Sequence, residues 1–114
     1  MIELSIYNYL KTALSPIPVT TELRQGMSGS FVLVEKTGSS SSQNNLLFNS
    51  TFAVQSYATS LYDAMVLNET VKAAMYGAVE LSEVTRVTLN SDYNYPDTVT
   101  KTPRYQAVFD ITHK

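Results

Sequence analysis

Residues 46–77 read LLFNSTFAVQSYATSLYDAMVLNETVKAAMYG, and within this stretch the apolar period changes from that of a strand to that of a helix. Phe52, Val54 and Ser56 alternate with Ala53, Gln55 and Tyr57, so residues 46–58 are expected to form a strand. Ser60 then stands three residues before Asp63, the capping-box spacing with Asp in place of the usual Glu. From there Leu61, Ala64, Met65, Asn68, Val71, Lys72 and Met75 trace a mostly apolar stripe, and Gly77 is the expected C-cap. A helix this short needs a sheet to pack on. Its expected contact is Leu61, Met65, Val71 and Met75 against Val32, Val34, Val54 and Phe109.

Working outward, FVLVEK at 31–36 is a continuous apolar run into a Glu-Lys pair, which predicts a strand buried on both faces. Every residue from Thr37 to Asn45 is Thr, Gly, Ser, Gln or Asn. Such a segment buries too little apolar surface to offset the entropy of ordering it, so 37–45 is expected to be a flexible polar loop. Ahead of it, Ile2, Ile6, Tyr9, Leu10 and Ala13 share one helical face, and Pro16 and Pro18 end that helix. VTTEL at 19–23 alternates like a short strand, and the glycines of RQGMSGS mark a turn. Downstream, VTRVTL at 84–89 and YQAVFDIT at 105–112 read as strands, separated by the turn-rich NSDYNYPDTVTKTP. In the last strand Tyr105, Ala107, Phe109 and Ile111 share one face. The order predicts one α+β domain over residues 1–114: a mixed or antiparallel sheet of about four to five strands, two helices on one face, and the other face open.

Composition narrows the function. The basic residues are scattered singly and the net charge is −2, which argues against an extended phosphate-binding stripe and against sequence-specific nucleic-acid binding. The absence of cysteine removes disulfides, thiolate metal sites and cysteine nucleophiles together. No run reaches membrane-spanning length, and the first residues lack the pattern of a signal peptide, so a cytosolic protein without membrane contact is expected.

The search for chemistry finds no catalytic, cofactor or metal set. His113 is the sole histidine and lies beside the C-terminus, where chains usually fray, so a structural or solvent role is expected rather than catalysis. Glu80 and Glu83, and Asp92 with Asp97, read as solvated loop charges. The glycines of GMSG and TGSS lack a P-loop ending. Tyr93 and Tyr95 sit in SDYNYPD among turn formers, which argues against core packing, and partner contact is favoured over idle exposure.

FVLVEKTG at 31–38, FAVQSYATSLYDAMVL at 52–67 and PRYQAVFDIT at 103–112 together resemble the tail terminator and head-to-tail joining proteins of long-tailed, siphovirus-like bacteriophages, and the likeness includes the opening helix and the PVTTEL strand. The serine run from Ser39 to Ser42 has no counterpart in that pattern. The resemblance implies a non-enzymatic α+β subunit without cofactor that forms a homo-oligomeric ring, commonly a hexamer. Such a ring caps the finished tail tube and presents a joining surface to the head. Its implied partners are itself, the tail tube protein and a head completion or connector protein. Its implied place is the head-proximal end of the virion tail, after synthesis in the bacterial cytoplasm. A small-ligand-binding regulatory α+β domain is the alternative, and it requires a convergent polar pocket.

The expected interface comprises Glu35, Lys36, the polar run Thr37, Gly38, Ser39, Ser40, Ser41, Ser42, Gln43, Asn44 and Asn45, and beyond it Tyr93, Tyr95, Arg104 and Asp110. The polar run would become ordered on a neighbour, so that its entropy is lost on assembly rather than folding; the plain alternative is a hairpin loop. Glu35 or Asp110 would face Arg104 or Lys36 of the next subunit.

Overall fold

The computed structural model describes residues 1–24, 26–41 and 46–114. The elements run α1 (Ile2–Ala13), β1 (Val19–Thr20), β2 (Phe31–Ser41), β3 (Phe48–Tyr57), α2 (Leu61–Gly77), β4 (Val84–Asn94) and β5 (Arg104–His113), with a 3₁₀ turn at Ala78–Glu80 following α2. The strands form one mixed sheet in the order β1-β2-β3-β5-β4. β1 is parallel to β2, and every other neighbouring pair is antiparallel. The α+β architecture expected from the order of periodicities is the one the chain adopts.

Both helices cover one side of the sheet. Ile2, Ile6 and Leu10 of α1 and Leu67, Val71 and Met75 of α2 form a single core with Val32, Val34, Phe52, Val54, Phe109 and Ile111. Residues 31–34 are buried on both sides, because Phe31 and Leu33 join Tyr57 and Met27 in a smaller cluster beneath the loop that precedes β2. Gly26 and Gly29 give that loop its two left-handed positions, at φ +86° and +77°.

Ser60 caps α2 as its spacing predicts, accepting the Asp63 N–H at 3.1 Å. The buried stripe of α2 is turned from the expected one. Leu61 and Met65 are 46% and 44% exposed, while Leu67 takes the place against the sheet. The stripe through 64, 68, 71 and 75 keeps the 4–3–4 spacing of a helix face, with Leu67 beside it, so the direction of the offset was set by the sheet and not by periodicity. Gly77 is not a left-handed cap. Its φ is −70° and the chain continues into the 3₁₀ turn. A Cβ there would meet the hydroxyl of Tyr9, which donates to Ala74 O at 2.8 Å and would have to shift to make room.

Two other stretches are more regular than their composition suggests. Thr37 to Ser41 belong to β2, with Gly38, Ser39, Ser40 and Ser41 opposite Thr51, Ser50, Asn49 and Phe48; the part of the expected loop at 42–45 lies outside the described residues. β4 continues through Tyr93 to Asn94, where turn residues predict a loop. The expected strand at 19–23 shrinks to Val19–Thr20.

Candidate interaction surface

The side of the sheet without helices is crossed by rows of polar side chains. Gln55 Nε2 donates to Glu35 Oε1 at 3.2 Å and to Gln106 Oε1 at 2.7 Å, and Gln106 Nε2 donates in turn to Tyr93 Oη. The row therefore spans β2, β3, β5 and β4. A second row joins Thr51 Oγ1 to Asp110 Oδ1 at 2.9 Å and Asn90 Nδ2 to Asp110 Oδ2 at 3.1 Å. In a third, Thr112 Oγ1 donates to Asn49 Oδ1 at 2.8 Å. Side chains that satisfy one another leave this face wettable without orphaned donors, as a surface open to solvent or to a polar partner requires.

Arg104 anchors one end of that face. Its Nε donates to Tyr95 O at 2.6 Å, and its Nη1 donates to Tyr57 Oη at 2.8 Å and to Gln55 Oε1 at 3.4 Å. The guanidinium lies 4.2 Å from the Tyr95 ring centroid and 5.4 Å from that of Tyr57. Tyr57 Oη in turn donates to Asp97 Oδ2 at 3.4 Å. Asp97 Oδ1 accepts the N–H groups of Thr100 and Val99, and these bonds, with Arg104 3.9 Å away, hold its carboxyl below the usual carboxylate range. Burial pushes the Tyr57 hydroxyl up, against the opposing pull of Arg104. Beside this cluster lies a cleft of about 530 Å³ between the loop before β2 and the turn at 97–102, floored by the stacked rings of Phe31 and Tyr57.

The sheet has two bare edges. Among the described residues, β1 pairs only with Val32 and Leu33, so residues 34–41 of β2 have no strand on their outer side, and β4 has none beyond it. Both edges carry register irregularities, between Lys36 and Gly38 on β2, and between Val84 and Arg86 and between Leu89 and Ser91 on β4. Such bulges blunt an edge against indiscriminate pairing.

The expected interface residues divide among these features. Glu35 and Lys36, with Thr37, Gly38, Ser39, Ser40 and Ser41, line the bare edge of β2 and are exposed, while Ser42, Gln43, Asn44 and Asn45 lie outside the described residues. Tyr93 and Tyr95 stack edge to face at 5.9 Å, both partly exposed beside Arg104. The charges expected to reach a neighbour are engaged within the subunit: Arg104 as above, Asp110 by Thr51 and Asn90, and Lys36 by Glu3 at 3.3 Å. The solvated-charge reading of Asp92 and Asp97 gives way similarly. Asp92 Oδ2 accepts from Lys72 Nζ at 3.0 Å, which raises the pKa of Lys72, and from Asn68 Nδ2 at 2.9 Å, and Asp97 is buried.

His113 is not frayed. It is buried, stacks on Phe48, and its Nε2 lies 2.8 Å from Ser50 Oγ. Its Nδ1 is 3.1 Å from Lys114 O, an atom that only accepts, a contact that suits the neutral tautomer with the proton on Nδ1, in which Nε2 accepts from the Ser50 hydroxyl. A serine beside a histidine base is the start of a nucleophile, yet both are buried and neither lines the cleft beside Arg104. Sequence reasoning missed this pair because the residues are 63 positions apart and meet only through the β3–β5 ladder.

Among the described residues no group of three or more His, Asp or Glu side chains is arranged to hold a metal ion, and no helix is long and apolar enough to cross a membrane. No protein-family model and no curated protein matches the chain.

Proposed function

We propose that the protein is a structural subunit that joins copies of itself edge to edge into a ring. In line with the resemblance in its sequence, the ring would cap a bacteriophage tail tube and present a joining surface to the head. The observation that carries the assembly reading is the direction of the two bare edges. β2, β3, β5 and β4 alternate in direction, so β4 runs opposite to β2. Two copies set side by side in the same orientation therefore bring β4 of one antiparallel to residues 34–41 of the next, the better-bonded of the two ladder patterns. The contact is heterologous: each copy offers both edges, and a closed ring leaves neither bare. The assignment to a phage tail is supported by the resemblance alone.

The absence of cysteine supplies a clean test. Ser40 and Thr88 face the helix-free side of β2 and β4, opposite Asn49 and Asp110 respectively. Under oxidation the double variant Ser40→Cys/Thr88→Cys should give a ladder of cross-linked multimers, while neither single variant forms dimers. Light scattering of the parent protein gives the ring order, and negative-stain microscopy its shape. Dimers from Thr88→Cys alone would replace the ring with a two-fold β4–β4 pair, and a monomer at every concentration would remove the assembly reading. Binding of the assembled ring to isolated tail tubes tests the tail-capping part separately.

A further inference from the structure

The cleft beside Arg104 has a chemistry of its own. Its floor is the parallel stack of Phe31 and Tyr57, with centroids 4.5 Å apart and planes 10° from parallel, and Leu23, Met27 and Pro103 add apolar lining. Arg24 lines one wall and Lys101 the other, and both are exposed. Arg24 has a 3.9 Å contact with Glu22 in which both side chains are largely in solvent, so its charge is nearly free for another partner. Lys101 makes no ion pair among the described residues and holds a φ of +56°, a left-handed conformation that favours glycine or asparagine over a long side chain. The one acid in the lining, Asp97, is committed to the Thr100 and Val99 N–H groups, to Tyr57 and to Arg104. The mouth is thus cationic over an aromatic floor. The volume of about 530 Å³ falls within the range of ligand clefts.

We propose that this cleft receives a segment of a partner protein in which an apolar side chain stands next to a carboxylate. The apolar group lies on the Phe31–Tyr57 stack, and the carboxylate sits between Arg24 and Lys101. A peptide suits the site because its walls are two separate loops, between which a backbone can enter and leave, and because its two cations come from opposite walls rather than from one closed pocket. The proposal goes beyond edge-to-edge assembly and does not depend on it.

The test titrates the full chain, followed by amide ¹H–¹⁵N spectra, with N-acetyl-Phe-Glu-amide and with its charge-reversed counterpart N-acetyl-Phe-Lys-amide. The acidic peptide should shift the amides of Arg24, Met27, Ala58, Thr100 and Lys101 saturably and bind at least about fivefold more tightly than the basic one. In the Arg24→Glu/Lys101→Glu variant, which alters only exposed side chains, the preference should reverse. Equal binding of the two peptides to the parent protein, absence of binding, shifts centred elsewhere, or a preference that survives the charge reversal would each overturn the proposal. The comparison on the parent chain stands even where the variant folds poorly.

Discussion

Replacing Arg104 by alanine distinguishes a residue that holds the subunit together from one that holds subunits to each other. The side chain is 13% exposed and donates to Tyr95 O, Tyr57 Oη and Gln55 Oε1. Hydrogen bonds from a charged group contribute about 1.5–3 kcal/mol each, and breaking a buried ionic cluster costs about 3–5 kcal/mol when a partner is stranded. Stranding is incomplete here, since Asp97 keeps the Thr100 and Val99 N–H groups and Tyr57 still donates to Asp97. The expected loss is therefore near the low end, about 3 kcal/mol. For a domain of this size that lowers Tm by about 12 °C. Arg104→Lys keeps the charge without the planar fork and should fall between parent and alanine variant. The assay is thermal unfolding by circular dichroism, at a concentration where light scattering finds monomer. A shift of less than about 3 °C for Arg104→Ala, well below that estimate, would refute the structural role and return Arg104 to the interface.

Three further outcomes follow from the packing. Met65→Asp should change stability by less than about 0.5 kcal/mol because the side chain stands outside the core, whereas Leu67→Asp should abolish the cooperative unfolding transition by burying an unpaired charge. Gly77→Ala should destabilise the parent protein by about 1–3 kcal/mol and cost clearly less in a Tyr9→Phe background, measured by urea unfolding; an additive cycle would show that the Tyr9 hydroxyl is not the obstacle. The carboxyl of Asp97 has a lower pKa folded than unfolded, so its stabilisation is present above the ordinary carboxylate range and is lost as pH falls through about 4 and below. Asp97→Asn should therefore flatten the acid limb of Tm against pH, and an unchanged limb would remove Asp97 from acid unfolding.

Much of the fold was legible because side-chain periods report burial. The alternation of 107–111, the buried run at 31–34 and the helical spacing of 2, 6 and 10 all reappear as core contacts, whereas Tyr105 at the head of the alternation is only partly buried. The polar stretch 37–41 was misread because composition measures what a segment can bury by itself. Its ordering comes from a ladder with 48–51, and the two share a strand pair whose register the apolar residues further along have already set. Leu61, Met65 and Leu67 were misassigned since a short helix allows neighbouring stripes of similar hydrophobicity, and the sheet decides between them. Of the candidate surface, the residues Glu35 to Ser41 were singled out as a strand end and a flexible arm rather than as one exposed strand edge, and the intramolecular bonds of Arg104, Asp110 and Lys36 were not foreseen. A single charge at a strand end looks the same in sequence whether its partner lies across the sheet or in another molecule, and a row such as Glu35–Gln55–Gln106–Tyr93 has no local spacing to betray it.

The place of β5 in the sheet also constrains how the molecule comes to exist. β5 lies between β3 and β4, although the chain supplies it after both. Until it arrives, β3 has a strand on one side only and β4 has none to bond with, and the core lacks Ala107, Phe109 and Ile111. The nascent chain can build the β2–β3 hairpin with the helices against it, but the sheet closes in a single late step with contacts more than fifty residues apart, such as Ser50 with Ile111. The sheet of such a chain can be completed only after its last strand is synthesised, and until then that side of β3 has no strand to pair with. Of the two outer edges, that of β2 exists as soon as the β2–β3 hairpin forms, whereas that of β4 is placed only once β5 has filled the inner gap.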